Sequence, residues 1–237
     1  MTYNIASFFN GAGDILQLST LPERLSKEGH TVNLYKGSKV NPFRNPELKK
    51  FFWDRNPYIK GETTESWTCG DIPGLPYKNT TNAFISNWEA MFGLKPPYNE
   101  LPIIYYEPKI IPGIEGIIEL SSITLKYNKE DIIAKVQEII TESGANFRQI
   151  INPNQSNPII IPGVKTITTS SLEELSNIIH NCTIFISLNS GSHSLEAAIQ
   201  RFGNKREHIS FIPHKDYNWI MELRKFIYPN IKYIKAG

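Results

Sequence analysis

The sequence has little of what several classes of protein require. Its 237 residues include only two cysteines, Cys69 and Cys182, which are too few for a disulfide scaffold or a zinc site. No run approaches the ~20 apolar residues of a membrane-spanning helix. The N-terminal MTYNIASFFN has no basic segment followed by an apolar stretch, so it does not read as a secretory signal. These absences favour a reducing, cytoplasmic setting and leave a peripheral contact with a membrane surface open.

Acidic clusters and basic stripes are also missing. The five aspartates lie far apart at positions 14, 54, 71, 131 and 216 and form no Asp-x-Asp, so we expect no metal site and no metal-dependent phosphate chemistry. The net charge is +2 with scattered Lys and Arg, which argues against a nucleic-acid partner. No Gly-x-Ser-x-Gly occurs, and a serine hydrolase is therefore not expected. Oligomeric state cannot be read from the sequence.

Strand-like and helix-like patterns alternate in the first half of the chain. A strand at 3–8 leads into a glycine turn and a helical pattern from 14 to 27, interrupted at Pro22 and closed by Gly29. The remaining predicted elements are a strand at 31–35, a short helix near 46–53 within the irregular stretch 36–78, a helix at 79–93 and a strand at 101–107.

The alternation restarts after 108–113 and is more regular. We predict strands at 116–120, 147–151, 158–162, 183–188 and 208–212, and helices at 128–144, 170–181, 192–203 and 216–228. The fold class is therefore α/β, with two Rossmann-like domains facing a cleft. We place the domains at 1–109 and 110–237, with the last helix free to pack back on the first domain.

Three stretches could carry chemistry. Gly11-x-Gly13-Asp14 opens the first predicted helix, where Asp14 either caps the helix or serves a ligand. Ser121 and Ser122 follow a strand, with Lys126 four residues later, and could hold a diphosphate or form an ordinary polar turn. The third stretch is a small-residue strand–turn–helix made of Asn189, Ser190, Gly191, Ser192, His193 and Ser194. It is either an anion-binding turn or a plain connection.

The first stretch does not fit the dinucleotide-binding fingerprint. Leu16 stands where the third glycine would be, and the strand ending TVNLYKG has no acid for a ribose. No Walker A lysine pattern is present either. A nicotinamide-dependent enzyme is therefore disfavoured, and we expect no cofactor.

Taken together, the stretches resemble the heptosyltransferase-type glycosyltransferases of lipopolysaccharide assembly, which have the two-domain GT-B architecture. Gly13-Asp14 followed by Leu21-Pro22 is similar to that family's opening Gly-Asp…Leu-Pro. Ser121-Ser122…Lys126 is similar to its Thr-Thr…Lys motif, and Asn189-Ser190-Gly191 followed by Ala197-Ala198 is similar to its Asp-Thr-Gly…His…Ala-Ala loop.

The resemblance implies an inverting, metal-independent transfer of a sugar from a nucleotide-diphosphate sugar to a glycan or other hydroxyl acceptor. Asp14 would be the general base. Lys126, with Gly13, Ser121, Ser122 and the residues 189–194, would bind the donor. The sequence identifies neither the sugar nor the nucleotide nor the acceptor.

Four departures from the family pattern keep alternatives open; two of them are the two extra residues between Asp14 and Pro22 and a chain shorter than typical members. Asn189 stands where the family has Asp, and Ser194 takes the place of its histidine, with His193 one position early. A non-catalytic nucleotide-sugar-binding or scaffolding protein is one alternative. A nucleotide-sugar epimerase is another; it would need His193 or Glu196 as a second acid–base group.

Overall fold

The structure is a computed structural model that describes residues 1–6, 11–36, 46–65, 84–122, 126–152, 158–203, 206–223 and 226–236. Three parallel strands form the sheet of the N-terminal half, in the order β1 (Thr2–Ile5), β2 (Thr31–Tyr35) and β3 (Glu62–Thr63). The helices of this half are α1 (Ala12–Gln17), α2 (Leu21–Lys27), α3 (Pro46–Leu48), which continues as a π-helical turn at Lys49–Trp53, and α4 (Phe84–Met91).

Six parallel strands form the second sheet. They are β4 (Gly116–Glu119), β5 (Phe147–Ile150), β6 (Lys165–Ile167), β7 (Ile184–Leu188), β8 (Glu207–Pro213) and β9 (Ile231–Ala236). The helices of this half are α5 (Lys129–Ser143), α6 (Leu172–Asn181), α7 (Gly191–Ile199), which continues as a 3-10 turn at Gln200–Phe202, and α8 (His214–Leu223).

The order of strands in the second sheet is β6-β5-β4-β7-β8-β9. The chain thus winds outward in one direction from β4 and then in the other from β7, which is the doubly wound arrangement of Rossmann folds. Ile117 and Ile118 are both buried but belong to different apolar clusters, because successive residues of a strand face opposite sides. Both faces of the sheet are therefore covered, and the predicted α/β fold is confirmed.

The largest apolar cluster draws on both halves of the chain. It contains Leu16 and Trp53 from the first half, and Ile117, Phe185 and Leu195 from the second. Burial of this kind stabilises by roughly 25 cal/mol for each Å² of apolar surface removed from water. The two sheets are thus joined by a shared core as well as by the connecting segment.

Local capping signals in the sequence predict the helix ends well. The Asn128 side chain accepts the Asp131 N–H at the start of α5, and Gly144 ends it with a left-handed φ of 64°. Ser171 likewise accepts the Glu174 N–H at the start of α6. These bonds satisfy N–H groups that a helix start otherwise leaves unpaired.

Pro22 marks the start of a helix. The first predicted helix is two helices, and Pro22 lies in the first turn of α2, with the break at residues 18–20 before it. A proline is tolerated in the first turn because its missing N–H would be unpaired there anyway. The start of the helix predicted at 79–93 lies outside the described residues, while its end at Gly93 (φ 77°) agrees with the prediction.

Two predicted strands are wrong, and side chains explain both. Residues 101–107 form no strand; the Ile103 N–H donates to the Ser19 hydroxyl at 2.8 Å, in place of a strand neighbour. Residues 158–162 form no strand either. The buried Gln149 amide donates to the Ile159 carbonyl at 2.6 Å and accepts the Ile161 N–H at 2.9 Å. Ile104, Ile159 and Ile161 are thus buried in these runs without a ladder of backbone bonds.

Three strands and the end of the last helix are not anticipated by the sequence patterns. The short β3 lies inside the stretch expected to be irregular, β6 follows the predicted strand at 158–162, and β9 follows the last predicted helix. That helix, expected to reach residue 228, is helical as far as Leu223 in the described residues, and residues 226–228 are not helical. The alternating sequence IKYIKA of β9 carries a period-two signal that could have identified it.

Gln149→Leu should lower the free energy of unfolding by about 2 kcal/mol or more. The change leaves two buried backbone groups without partners, at about 1–3 kcal/mol each. Urea denaturation measures the loss. The exposed Gln137→Leu on α5 is the matched control and should change stability by less than about 0.5 kcal/mol. Equal effects of the two substitutions would contradict the role of the Gln149 amide.

Candidate functional site

The candidate site lies where the strand order of the second sheet reverses, between β4 and β7. The chain leaves β4 through Ser121 and Ser122, and leaves β7 through the turn 189–190 directly into α7. Ligands of open α/β sheets bind in the crevice outside such a reversal, at the carboxyl ends of the strands. The topology therefore brings two of the three predicted stretches to one edge.

The turn between β7 and α7 presents the start of a helix. The Asn189 N–H donates to the Phe211 carbonyl at 3.0 Å, which anchors the turn to β8. Ser190 is in an extended conformation as the N-cap of α7, and its side chain makes no capping bond to that helix. The first-turn N–H groups of α7 are therefore not capped by Ser190, and they carry the partial positive charge of a helix N-terminus.

Glu119 is the site residue that the sequence analysis missed. It ends β4 and is only 4% exposed. Its Oε1 accepts the Ser121 N–H at 3.0 Å, and its Oε2 accepts the hydroxyl of Ser192. Burial raises the pKa of this carboxyl above its ordinary value. One carboxylate thus links the loop after β4 to the first turn of α7. A charged residue inside the apolar run GIIEL was the signal that could have identified it.

Asp14 is the third residue of α1 and is partly exposed. Its Oδ2 lies 2.9 Å from the point where a Cβ on Gly11 would be. The carboxylate therefore folds back over the first turn of its own helix, into space that any residue other than glycine would fill. This is the favourable position for a negative charge at a helix N-terminus.

The N-termini of α1 and α7 touch each other. A Cβ on Gly191 would lie 3.0 Å from the Ala12 Cβ and 3.7 Å from the Gly13 nitrogen. A Cβ on Gly13 would lie 3.5 Å from the Ser194 hydroxyl and 3.2 Å from the Phe226 ring. Glycine on both sides allows this close approach. The first and third predicted stretches are therefore in direct contact.

The side chains of His193 and Ser194 point into the protein. Both residues are fully buried; the His193 Nε2 lies 2.9 Å from the Phe226 carbonyl, and the Tyr228 hydroxyl donates to Ser194 at 3.0 Å. Burial, followed by the neighbouring His208, lowers the pKa of His193 to about 3. His193 is therefore neutral near pH 7.

Lys126 is exposed, and residues 123–125 before it lie outside the described part of the chain. The next residue, Tyr127, donates its hydroxyl to the Phe211 carbonyl at 3.2 Å. The same carbonyl accepts the Asn189 N–H. Lys126 is thus adjacent in sequence to a residue bound at the ends of β7 and β8, while Ser122 is half-buried in the loop after β4.

A sealed polar network lies behind the turn. Glu196 on α7 is 2.6 Å from the His208 Nδ1 and 3.6 Å from the Arg206 guanidinium. The other ring nitrogen of His208 is 2.9 Å from the Ser187 hydroxyl. Burial alone would raise the pKa of Glu196, but His208 and Arg206 hold it below its ordinary value. Ser187, His208 and Glu196 are each at most 2% exposed. Their side chains therefore tie α7 to β7 and β8 and cannot contact a substrate.

Solved structures with a similar fold are glycosyltransferases. All of the chain aligns with 64% of the bacterial iron-containing dodecameric glycosyltransferase TibC from enterotoxigenic E. coli, at 13% identity and a TM-score of 0.62. Similarly, 99% of this chain aligns with 84% of a glycosyltransferase family 9 protein from Veillonella parvula, at 10% identity and a TM-score of 0.61. All of this chain aligns with 92% of the E. coli heptosyltransferase WaaC solved with ADP, at 10% identity and a TM-score of 0.54.

The chain has the fold of the heptosyltransferases. The resemblance stated from the three stretches is thus confirmed in the fold, although no protein-family profile matches the sequence and no curated protein is similar to it by sequence. The chain spans less than two thirds of the length of TibC. TibC has also been solved in complex with ADP-D-β-D-heptose.

Two further findings concern the described residues only. No three His, Cys, Asp or Glu side chains among them come together as ligands for a metal ion. None of the described helices has both the length and the apolar character needed to cross a membrane.

Gly191→Ala should lower the free energy of unfolding by about 1–3 kcal/mol, the usual effect of overpacking. The new methyl would press on the Ala12 Cβ at 3.0 Å, so Ala12→Gly in the same chain should restore part of the loss. Chemical denaturation of the single and double variants measures both effects. Gly61→Ala, whose Cβ would meet nothing within 4 Å, is the control. A loss that Ala12→Gly does not reduce would contradict the contact.

Proposed function

We propose that the protein is an inverting glycosyltransferase that moves a sugar from a nucleotide-diphosphate sugar to a hydroxyl acceptor. The observation that carries the proposal is the contact between the N-termini of α1 and α7. It brings the helix of Asp14 to the turn at the switch point of the second sheet, 3.0 Å separating the Ala12 Cβ from a Cβ built on Gly191. A base and an anion-binding turn can then serve one donor.

Asp14 is the proposed general base. The acceptor hydroxyl attacks the anomeric carbon of the donor sugar, and its proton passes to the Asp14 carboxylate. The bond between that carbon and the diphosphate oxygen breaks, and its electron pair leaves with the nucleotide diphosphate. Attack from the face opposite the leaving group inverts the anomeric centre. Partial exposure of Asp14 supports this role because the carboxylate must be reached by the acceptor.

The groups proposed to hold the diphosphate come from both loops of the switch point. Lys126 supplies a positive charge, Ser121 and Ser122 supply hydroxyls, and the first turn of α7 supplies N–H groups. These groups would stabilise the charge that develops on the departing diphosphate without a metal ion.

The nucleotide and the sugar are proposed from the proteins of similar fold. TibC has been solved with ADP-D-β-D-heptose and WaaC with ADP, so an ADP-linked heptose is the first donor to test. A glycan hydroxyl is the proposed acceptor. Donor, acceptor and activity are all part of the proposal, because the chain spans less than two thirds of TibC.

The structure gives little support to the epimerase alternative. His193 and Glu196, its two candidate acid–base groups, are both fully buried and bonded inside the protein. The non-catalytic binding alternative rests on Asn189, whose amide donates to the Phe226 carbonyl at 3.1 Å. Thermal shift with a panel of nucleotide sugars, followed by a transfer assay, separates a binder from an enzyme.

Asp14→Asn should reduce the rate of sugar transfer by about 100-fold or more and leave donor affinity unchanged. The amide cannot take the acceptor proton but keeps the shape of the side chain. Transfer is followed by release of the nucleotide diphosphate, and donor binding by calorimetry. Asp131→Asn is the matched control because Asp131 holds the same position, third in α5; it should transfer normally. Normal turnover by Asp14→Asn would show that another group is the base.

Lys126→Ala should weaken donor binding by about tenfold or more, since a hydrogen bond to a charged group contributes about 1.5–3 kcal/mol. Titration of the nucleotide diphosphate, with EDTA present and absent, measures the affinity and tests metal independence. Lys165→Ala, exposed on β6, should bind as the unaltered protein does. An affinity unchanged by Lys126→Ala would remove the phosphate role of this lysine.

A further inference from the structure

The segment that joins α8 to β9 contacts both sides of the candidate site. We call residues 226–230 the C-terminal turn. Its side chains and backbone meet Gly13 and Gln17 of α1, and also Asn189, His193 and Ser194. Four of these five residues were singled out from the sequence as site residues, whereas the C-terminal turn itself was assigned no role.

Phe226 forms one half of this contact. Its φ of 56° is uncommon for a residue with a side chain. In this conformation its carbonyl accepts the Asn189 amide at 3.1 Å and lies 2.9 Å from the His193 Nε2. Its ring lies 3.2 Å from the point where a Cβ on Gly13 would be. The backbone of the turn thus holds α7 while the ring packs on α1.

Tyr228 forms the other half through a single hydroxyl. The hydroxyl accepts the Gln17 amide of α1 and donates to the Ser194 hydroxyl of α7 at 3.0 Å. The Ser194 hydroxyl in turn donates to the Ser190 carbonyl at 3.4 Å. Tyr228 is 4% exposed. Burial raises the pKa of its hydroxyl, and the charge of Asp14 adds to that rise.

We propose that Tyr228 is a positioning residue for sugar transfer. Its hydroxyl joins the helix that carries Asp14 to the helix that begins at the donor-binding turn. The bond from Gln17 fixes the rotation of α1, and the bond to Ser194 fixes α7 beside it. The base is thereby held at a set distance from the anomeric carbon of a bound donor. This inference rests on the proposed function.

Such a residue matters for the reaction because Asp14 lies beside the first sheet, whereas the proposed donor-binding turn, residues 189–190, lies at the end of the second sheet. A misplacement of about 1 Å between a base and its substrate can reduce the rate by about 100-fold. The glycine contact between α1 and α7 sets how near the two helices come. The Tyr228 hydroxyl sets how they are turned against each other.

Tyr228→Phe tests the proposal because it removes only the hydroxyl oxygen and keeps the ring. The centroid of that ring lies 5.2 Å from the centroid of the His193 ring. We expect kcat for transfer to fall by about tenfold or more, with the donor KM and the donor Kd unchanged. Tyr105→Phe is the matched control; Tyr105 is half-buried, and its hydroxyl donates to Glu23 of α2 at 2.9 Å. It should leave kcat unchanged.

A second variant separates positioning from folding. Gln17→Met removes the donor to the same hydroxyl, so Tyr228→Phe and Gln17→Met together should lower kcat no further than Tyr228→Phe alone. All rates are divided by the fraction of folded protein from thermal melts. An unchanged kcat for Tyr228→Phe, or a loss confined to donor affinity, overturns the inference while the proposed function stands. An unaltered protein that neither binds nor transfers any nucleotide sugar overturns both.

Discussion

The close approach of two helix N-termini is the constraint on which the rest of the structure depends. At Gly191 and Ala12 the starts of α7 and α1 come into contact, and each start carries partial positive charge. Two such ends repel unless negative charge lies beside them. Asp14 folds over the first turn of α1, and Glu119 lies at the first turn of α7. Each helix thus brings or meets one carboxylate.

These two carboxylates differ in what they can do. Asp14 is partly exposed, whereas Glu119 is buried and bonded to the Ser121 N–H and the Ser192 hydroxyl. Only Asp14 can meet an acceptor, which is why we propose it as the base. Glu119 occupies donors that a phosphate oxygen would also use. Because burial already raises the pKa of Glu119, this carboxyl takes up a proton more readily when a second negative charge approaches.

The sequence predicts features that depend on neighbouring residues. The caps of α5 and α6 and the strands around the switch point follow from local spacing and periodicity, and they appear as expected. Features that depend on distant residues are missed. The Gln149 amide forms the hydrogen bonds that a neighbouring strand would otherwise form with residues 158–162. No local sequence pattern predicts that a side chain will bond backbone groups in this way. The contacts of the C-terminal turn could not be predicted from local patterns either, because Gln17 and Tyr228 are 211 residues apart in the sequence.

The C-terminal turn explains two of the departures from the heptosyltransferase pattern. Asn189 stands in the place of an aspartate, and its amide donates to the Phe226 carbonyl at 3.1 Å. A carboxylate there would face that carbonyl with no proton to donate, at the cost of an unsatisfied buried group. Ser194 stands in the place of a histidine, and its hydroxyl accepts the Tyr228 hydroxyl. A small residue is needed there because Gly13 lies on its other side. Both substitutions therefore suit a C-terminal turn packed against the site, and neither is by itself a sign of lost activity.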